Sequence, residues 1–467
     1  MTAAQAAPTP QSDPLDAQIA RWRGYVQRRQ AISAADVEEL EDHLRAQIDE
    51  LAARGLDHDE AFLVAIRRLG DIDAMSGEYA REHSDRLWKQ LSLSPSAGPA
   101  AGRGRREGAV AIAAGLAAGI ALKVALTVTG LTFDGLPDEA AAGAMLRTAS
   151  LYVAPFLIAY LAWKRRLSPP VTIGVAGAVT ALAVALAVVP FPLAFGQLSV
   201  LSALHAPIVL WAVVGVAYMG GRILSGDRRM DFVRFTGEFV VYYALLALGG
   251  GVLLGLTAAV FSLVGADVSI AYVDWILPLC VPGAVLVAAW LVEAKQQVIE
   301  NIAPVLTRVF TPLTLIMLVA LLAVLATAGT LAEVDRGLLI LMDGVLVLVL
   351  ALSLYSVSAR DPLARPDWFD GVQLATILAA IAVDAIMLAA MIARTAEFGF
   401  SANKTAAIGV NVLVLVHLAG HAWLTVSSFR GHAGFARIAR WHTGYLPVYA
   451  VWALFVTVAF PLLFPGT

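Results

Sequence analysis

The sequence predicts an all-α fold: a polytopic integral membrane protein of about 11 transmembrane helices behind a small N-terminal cytoplasmic helical bundle. Three observations lead there. Of the 467 residues, 59% are hydrophobic and only 15% charged, against about 25% charged in a soluble domain. The charge is also uneven, with close to half of it in the first 107 positions. The remainder is divided into apolar runs of about twenty residues, the length needed to cross a hydrocarbon core of roughly 30 Å at 1.5 Å per residue.

Taken in order, residues 1–14 are rich in Ala, Pro, Thr and Gln and are expected to be disordered. Residues 15–91 carry helical periodicity. Leu15, Ile19, Trp22 and Val26 line one face. Ser33 and Asp36 then mark the start of a helix with Val37, Leu40, Leu44, Ile48 and Leu51 on one stripe, ended by Gly55. Asp57 and Glu60 open a third helix bearing Phe62, Ile66 and Leu69, closed by Gly70; Asp71 opens a fourth with Ile72, Met75 and Tyr79 inward. Residues 92–107 read as a flexible linker that ends in the basic group Arg103, Arg105, Arg106.

Several of these residues carry a resemblance. The string from Asp36 to Leu44, then Ile48 to Leu51, Asp59 to Phe62 and Arg67 to Asp71, resembles the bacterial module called permease prefix domain 1, which is similar to helical domains beside PadR-type regulators. The resemblance implies a cytoplasmic module that mediates regulation, contact with a protein partner or self-association. It brings no catalytic residue.

The membrane domain, 108–467, opens on the apolar run Gly108–Phe133, whose only charge is Lys123. A cleavable signal peptide is not expected, because more than a hundred polar residues precede the run. Spans are predicted near 108–132, 146–163, 170–190, 200–221, 236–264, 272–293, 308–330, 337–357, 371–393, 404–428 and 443–464. With the N-terminus in the cytoplasm, the inner loops hold Lys164 to Arg166, Arg222, Arg228, Arg229, Arg234, Lys295, Arg308, Arg360, Arg365, Arg430, Arg437 and Arg440. The outer loops and span ends hold Arg147, Arg336, Arg394 and Lys404. This asymmetry follows the positive-inside rule and, with an odd number of spans, places the C-terminus outside a bacterial cytoplasmic (inner) membrane.

Two G-x-x-x-G pairs, Gly115 with Gly119 and Gly251 with Gly255, are spaced for close helix packing. Pro278 and Pro282 predict a kinked or locally open sixth span. The single cysteine, Cys280, excludes an intrachain disulfide. The segment Arg394 to Lys404, reading Arg-Thr-Ala-Glu-Phe-Gly-Phe-Ser-Ala-Asn-Lys, resembles the outer-loop pattern of a bacterial polytopic family of unknown function. That pattern has Tyr, Thr and Arg where this chain has Phe398, Ser401 and Lys404. It implies an inner-membrane location and no chemistry.

Ionisable groups inside the spans point to function, because burying one in hydrocarbon costs several kcal/mol unless it finds a partner or water. Measured along the helices, Lys123, Asp343 and Asp384 share a depth of roughly 20–23 Å, with His205 slightly deeper and His417 slightly shallower. Asn411 and His421 join this layer as a candidate solute or ion site. His417 and His421, four apart, share a helix face. With Asp384 they offer nitrogen and carboxylate ligands to a divalent metal, or they form a proton relay. The competing readings are histidines satisfied by neighbouring groups and a structural Lys123–Asp384 ion pair.

A net charge of -3 gives no reason to expect nucleic acid. No G-x-x-x-x-G-K-[ST], G-x-G-x-x-G after a strand, H-E-x-x-H or G-x-S-x-G occurs. P-loop ATPase, Rossmann dehydrogenase and zincin or G-x-S-x-G hydrolase classes are therefore not expected, and no catalytic residue is assigned. A permease-like protein moving a small solute or ion, with a regulatory prefix domain, is the leading expectation. A membrane sensor reporting to a cytoplasmic partner is the alternative, and a membrane-embedded metalloenzyme on His417 and His421 ranks third.

Overall fold

The structure is a computed structural model. It describes Leu15, Gln18, Ile19, Arg23 and residues 34–69, 99–131, 138–263, 265–294, 302–327, 336–360, 367–431 and 434–465. The chain divides into two compact units, Met1–Ala101 and Gly102–Thr467.

In the first unit, α1 (Ala34–Ala53) and α2 (His58–Leu69) pack together. Leu44, Ile48 and Leu51 recur at spacings of four and three, so one stripe of α1 faces Ala61, Phe62 and Ala65 of α2, with Ile19 completing the core. Gly55 ends α1 because its φ of 95° lies where a Cβ would be strained. The Leu56 amide then donates back to the Leu51 carbonyl at 3.3 Å, and its side chain packs on the same core. The expected fourth helix, most of the first, the disordered leader and residues 92–98 lie outside the described residues.

In the second unit, ten helices among the described residues are long and apolar enough to cross a membrane. They are α3 (Pro99–Val128), α4 (Glu139–Arg165, with a 3-10 turn at Ala149–Tyr152), α5 (Pro169–Val188), α6 (Gln197–Tyr218), α7 (Gly226–Leu263), α8 (Ser269–Ala294), α9 (Ile302–Thr327), α10 (Arg336–Ala359), α11 (Trp368–Phe398) and α12 (Ala402–Phe429). The eleventh expected span is the helix α13 (Phe435–Val458), followed by the short α14 (Phe460–Leu463). It is not among the ten. Its first half carries Trp441, His442, Thr443, Tyr445 and Pro447, which lower its apolar character, although His442 and Thr443 are buried.

Two further departures have local causes. The helix α3 already begins at Pro99, so residues 99–107 of the expected linker are helical. The fifth span starts ten residues early because Arg229 and Arg234 remain helical by donating to carbonyls. Arg229 reaches Ile223 at 2.6 Å and Thr443 at 3.1 Å, and Arg234 reaches Ser358 at 2.5 Å. Gly226–Leu263 is thus one uninterrupted helix of 38 residues with no proline.

Four apolar clusters hold the unit together, of which two are the largest. One joins α3 to α8 through Ala111, Ala118, Leu157, Leu161, Val214, Phe235, Leu286 and Ala289; the other joins α9 to α12 through Leu318, Leu346, Ile377, Val383, Val414 and Leu418. Gly115 and Gly119 lie against the backbone of Gly283 and Leu279 on α8, as a G-x-x-x-G contact requires. Gly251 and Gly255 have nothing near them and sit among exposed Val252, Leu253 and Leu256, so the second pair packs on no described helix. The proline pair leaves α8 continuous but with a π-helical turn at Tyr272–Ile276, where the Leu277 amide bonds back to Tyr272. Pro278 has no N–H with which to continue the ordinary ladder there.

Candidate functional site

Two helical hairpins build the polar centre. The first joins α11 to α12. Asp367 and Asp370 fix the start of α11 as a reciprocal cap, and Arg360 pairs with Asp370. At the far end Gly399 leaves the helix at φ 77°, Ser401 caps α12, and Lys404 Nζ donates to the Gly399 carbonyl at 3.1 Å. The chain therefore reverses within a few residues, and positions roughly ten before and after the turn meet. Met391 Sδ accepts from Asn411 Nδ2 at 3.3 Å.

Two turns deeper, Asp384 is fully buried at 0% exposure, and neither of its carboxylate oxygens has a hydrogen-bond partner among the described residues. Asp343 comes from α10, next to Met342, which packs in one cluster with Val383 of α11 and Val414 of α12. Asp343 Oδ1 and Asn411 Oδ1 are buried and unpartnered as well. Four acceptor oxygens from three helices therefore stand in one region without a donor among the described residues. Buried polar atoms are seldom left so.

The second hairpin joins α12 to α13 through Gly431, at φ 73°. By the same reasoning His421 faces His442. The Nδ1 of His421 is 3.2 Å from Nε2 of His442, whose Nδ1 is 2.9 Å from Nε2 of His417, whose Nδ1 is 2.9 Å from the Tyr449 hydroxyl. All three histidines are buried. Tyr445 stacks on His417 at 4.5 Å between ring centroids, and Trp441 Nε1 donates to the His417 carbonyl at 3.0 Å. The hairpin can close this tightly because Gly409 and Gly420 have no side chain: a Cβ there would lie about 2 Å from the rings of Trp452 and Trp441.

The expected layer is thus divided. Asp343, Asp384 and Asn411 form one group, and His417 and His421 belong to a second that includes His442 and Tyr449. Lys123 stands apart, its Nζ 4.6 Å above the Trp275 ring, and no ion pair between Lys123 and Asp384 occurs among the described residues. His205 is also apart, with Nδ1 2.8 Å from the Leu201 carbonyl of its own helix. For the metal reading, no three His, Cys, Asp or Glu side chains among the described residues are arranged to hold an ion. The histidine nitrogens address one another along a line instead of converging on a point. His442 and Tyr449 were not singled out from the sequence, although a signal exists: His442, Tyr445 and Tyr449, at spacings of three and four, line one face of a helix that starts at Phe435.

A separate charged group lies where α3, α4 and α8 meet. Glu293, with a 3% exposed side chain, accepts from Lys164 at 3.2 Å and Arg165 at 2.8 Å, and Lys164 also pairs with Glu107 at 3.1 Å. A cavity of about 590 Å³ beside it is lined by Arg106, Glu107, Trp163, Lys164 and Arg166. It shares no residue with the carboxylate and histidine groups.

Fold and site together define an all-α membrane protein with a buried polar centre. No known protein family, no curated protein and no solved structure matches the chain.

Proposed function

We propose that the membrane unit is permease-like and moves a small solute or ion through the region of Asp343, Asp384 and Asn411. The observation that carries this reading is the pair of unpartnered oxygens on a fully buried Asp384. An aspartate retained only to hold helices together would face a cation or a set of donors, since an uncompensated polar group in hydrocarbon is costly. A carboxylate that receives a passing cation, proton or solute donor is needed without a permanent partner. The first unit, in this reading, regulates the membrane unit from the cytoplasm.

Uptake into liposomes containing the purified full-length protein tests this, with sodium, potassium, protons, amino acids and sugars offered in turn. At least one is expected to enter in a saturable manner and to be excluded by the Asp384→Asn variant. Entry of none, with wild type and variant alike, sinks the proposal.

The separation of Met1–Ala101 as its own compact unit favours a second reading, a sensor that reports to a soluble protein. That reading expects residues 1–91, attached to the full chain, to retain one defined partner in a signal-dependent manner.

A further inference from the structure

We infer that His421, His442, His417 and Tyr449 form a proton relay leading to the region of Asp384, where Tyr449 packs against the cluster that holds Val383 and Met387. The inference rests on the transport reading above and names the ion that moves.

The geometry separates this chain from ordinary buried histidines. His205 ends on a backbone carbonyl of its own helix, which satisfies one nitrogen and leads nowhere. His417 and His442 each use both ring nitrogens, one towards the previous member and one towards the next. An imidazole passes a proton on only if it accepts at one nitrogen and releases from the other. The links are 3.2, 2.9 and 2.9 Å, all within hydrogen-bonding distance.

The transfer balances with every ring neutral before and after. At the start, each histidine carries its proton on Nδ1. A proton arrives at Nε2 of His421, whose Nδ1 proton passes to Nε2 of His442. The Nδ1 proton of His442 passes to Nε2 of His417, and that of His417 to the Tyr449 oxygen. Tyr449 releases its original hydroxyl proton to an intervening water, which gives up one of its own to Asp384, since neither Asp384 oxygen is in direct hydrogen-bonding contact with a described residue. Each histidine then carries its proton on Nε2, and the rings must turn back before the next proton follows. No charge is left behind in the hydrocarbon, where it would be costly.

Of its members His421 is the nearest in sequence to the Gly431 turn, and the relay runs from there away from the turn. The groups facing it are Trp441 and Tyr445 from α13, Asp384 from α11 and, through Asp384, Asp343 from α10. No ion pair reaches any of the three histidines among the described residues.

The test uses the full-length protein in liposomes enclosing a pH-sensitive dye, with a potassium diffusion potential as driving force. Wild type is compared with His442→Gln, which keeps a polar side chain but cannot accept and release in turn, and with Tyr449→Phe, which keeps the ring packing. Gel filtration and thermal unfolding report on folding. The expected result is proton entry in wild type, lost in both variants. Wild-type rates in folded His442→Gln and Tyr449→Phe overturn the relay, as does a wild type that moves no protons. Should His442→Gln fail to fold, Tyr449→Phe decides. Uptake of sodium or a solute that depends on Asp384 without proton entry overturns the relay alone, whereas no uptake of any kind, unaffected by Asp384→Asn, removes both readings.

Discussion

The Nε2 of His417 lies 2.9 Å from Nδ1 of His442, a bond between residues 25 positions apart in the chain that are brought together by one tight turn. It depends on the register of α12 against α13. That register is set by how close the two helices approach.

Gly420 is one of two points, with Gly409, where the approach is tightest. A Cβ at this position would meet the Trp441 ring at 2.2 Å, and Trp441 is the residue that donates to the His417 carbonyl. Gly420→Ala is expected to lower stability by about 1–3 kcal/mol, the usual cost of overpacking. Chemical denaturation in detergent checks the magnitude. An unchanged midpoint would mean that the ring moves aside freely.

Asp384→Asn is expected to raise stability. The carboxylate has no partner to lose, and the carboxamide brings donors that Asp343 Oδ1 can accept. A gain of about 1–3 kcal/mol follows from relieving unsatisfied buried groups. Thermal unfolding of wild type and variant in the same detergent decides the sign. A large destabilisation would assign Asp384 a structural partner.

Glu293→Gln bears on the other charged group. The change leaves Lys164 and Arg165 facing a neutral amide at a site where the acid is almost fully enclosed. A loss of about 3 kcal/mol is expected for one member of such a network. Replacing Glu293 and Arg165 together, as Gln and Met, should recover part of it, and a double-mutant cycle measures how much.

Asp267 provides a pH-dependent check outside the membrane. Its carboxylate accepts from the Ser269 amide at 2.9 Å at the start of α8, and this hydrogen bond holds its pKa below the ordinary value of 3.8. A depressed folded value means that the contribution is whole above the unfolded pKa and is lost as the pH falls through the folded one. An NMR titration of the Asp267 carboxyl should place its midpoint below that of Asp in an unstructured peptide. A midpoint at or above it would show that the cap is not formed.

Much of the architecture was legible because hydrocarbon constrains sequence so strongly. The runs that became α3 to α12 need only length and apolarity to be recognised. The stripe of Leu44, Ile48 and Leu51 needs only its spacing. Legibility failed where charge and helix coincide: Arg229 and Arg234 read as loop until their carbonyl partners on α13 and α10 are known. In the candidate site, depth along a helix grouped Lys123 with Asp384, but depth says nothing of direction, and Lys123 turns to Trp275 instead. His442 was missed because the polar residues around it made the start of α13 read as a loop. Gly251 and Gly255 show the converse, a packing motif with no described neighbour.

The long helix α7 has a mechanical consequence. Its 38 residues form a rod of about 57 Å at 1.5 Å per residue, nearly twice the hydrocarbon thickness. Near one end, two guanidinium clamps grip the Thr443 carbonyl, next to His442, and the Ser358 carbonyl, on the helix that bears Asp343. The rod yokes the histidine hairpin to the carboxylate helix, so tilting its largely exposed half, held to α8 where the Tyr272 hydroxyl donates to the Leu254 carbonyl, displaces both anchor points together.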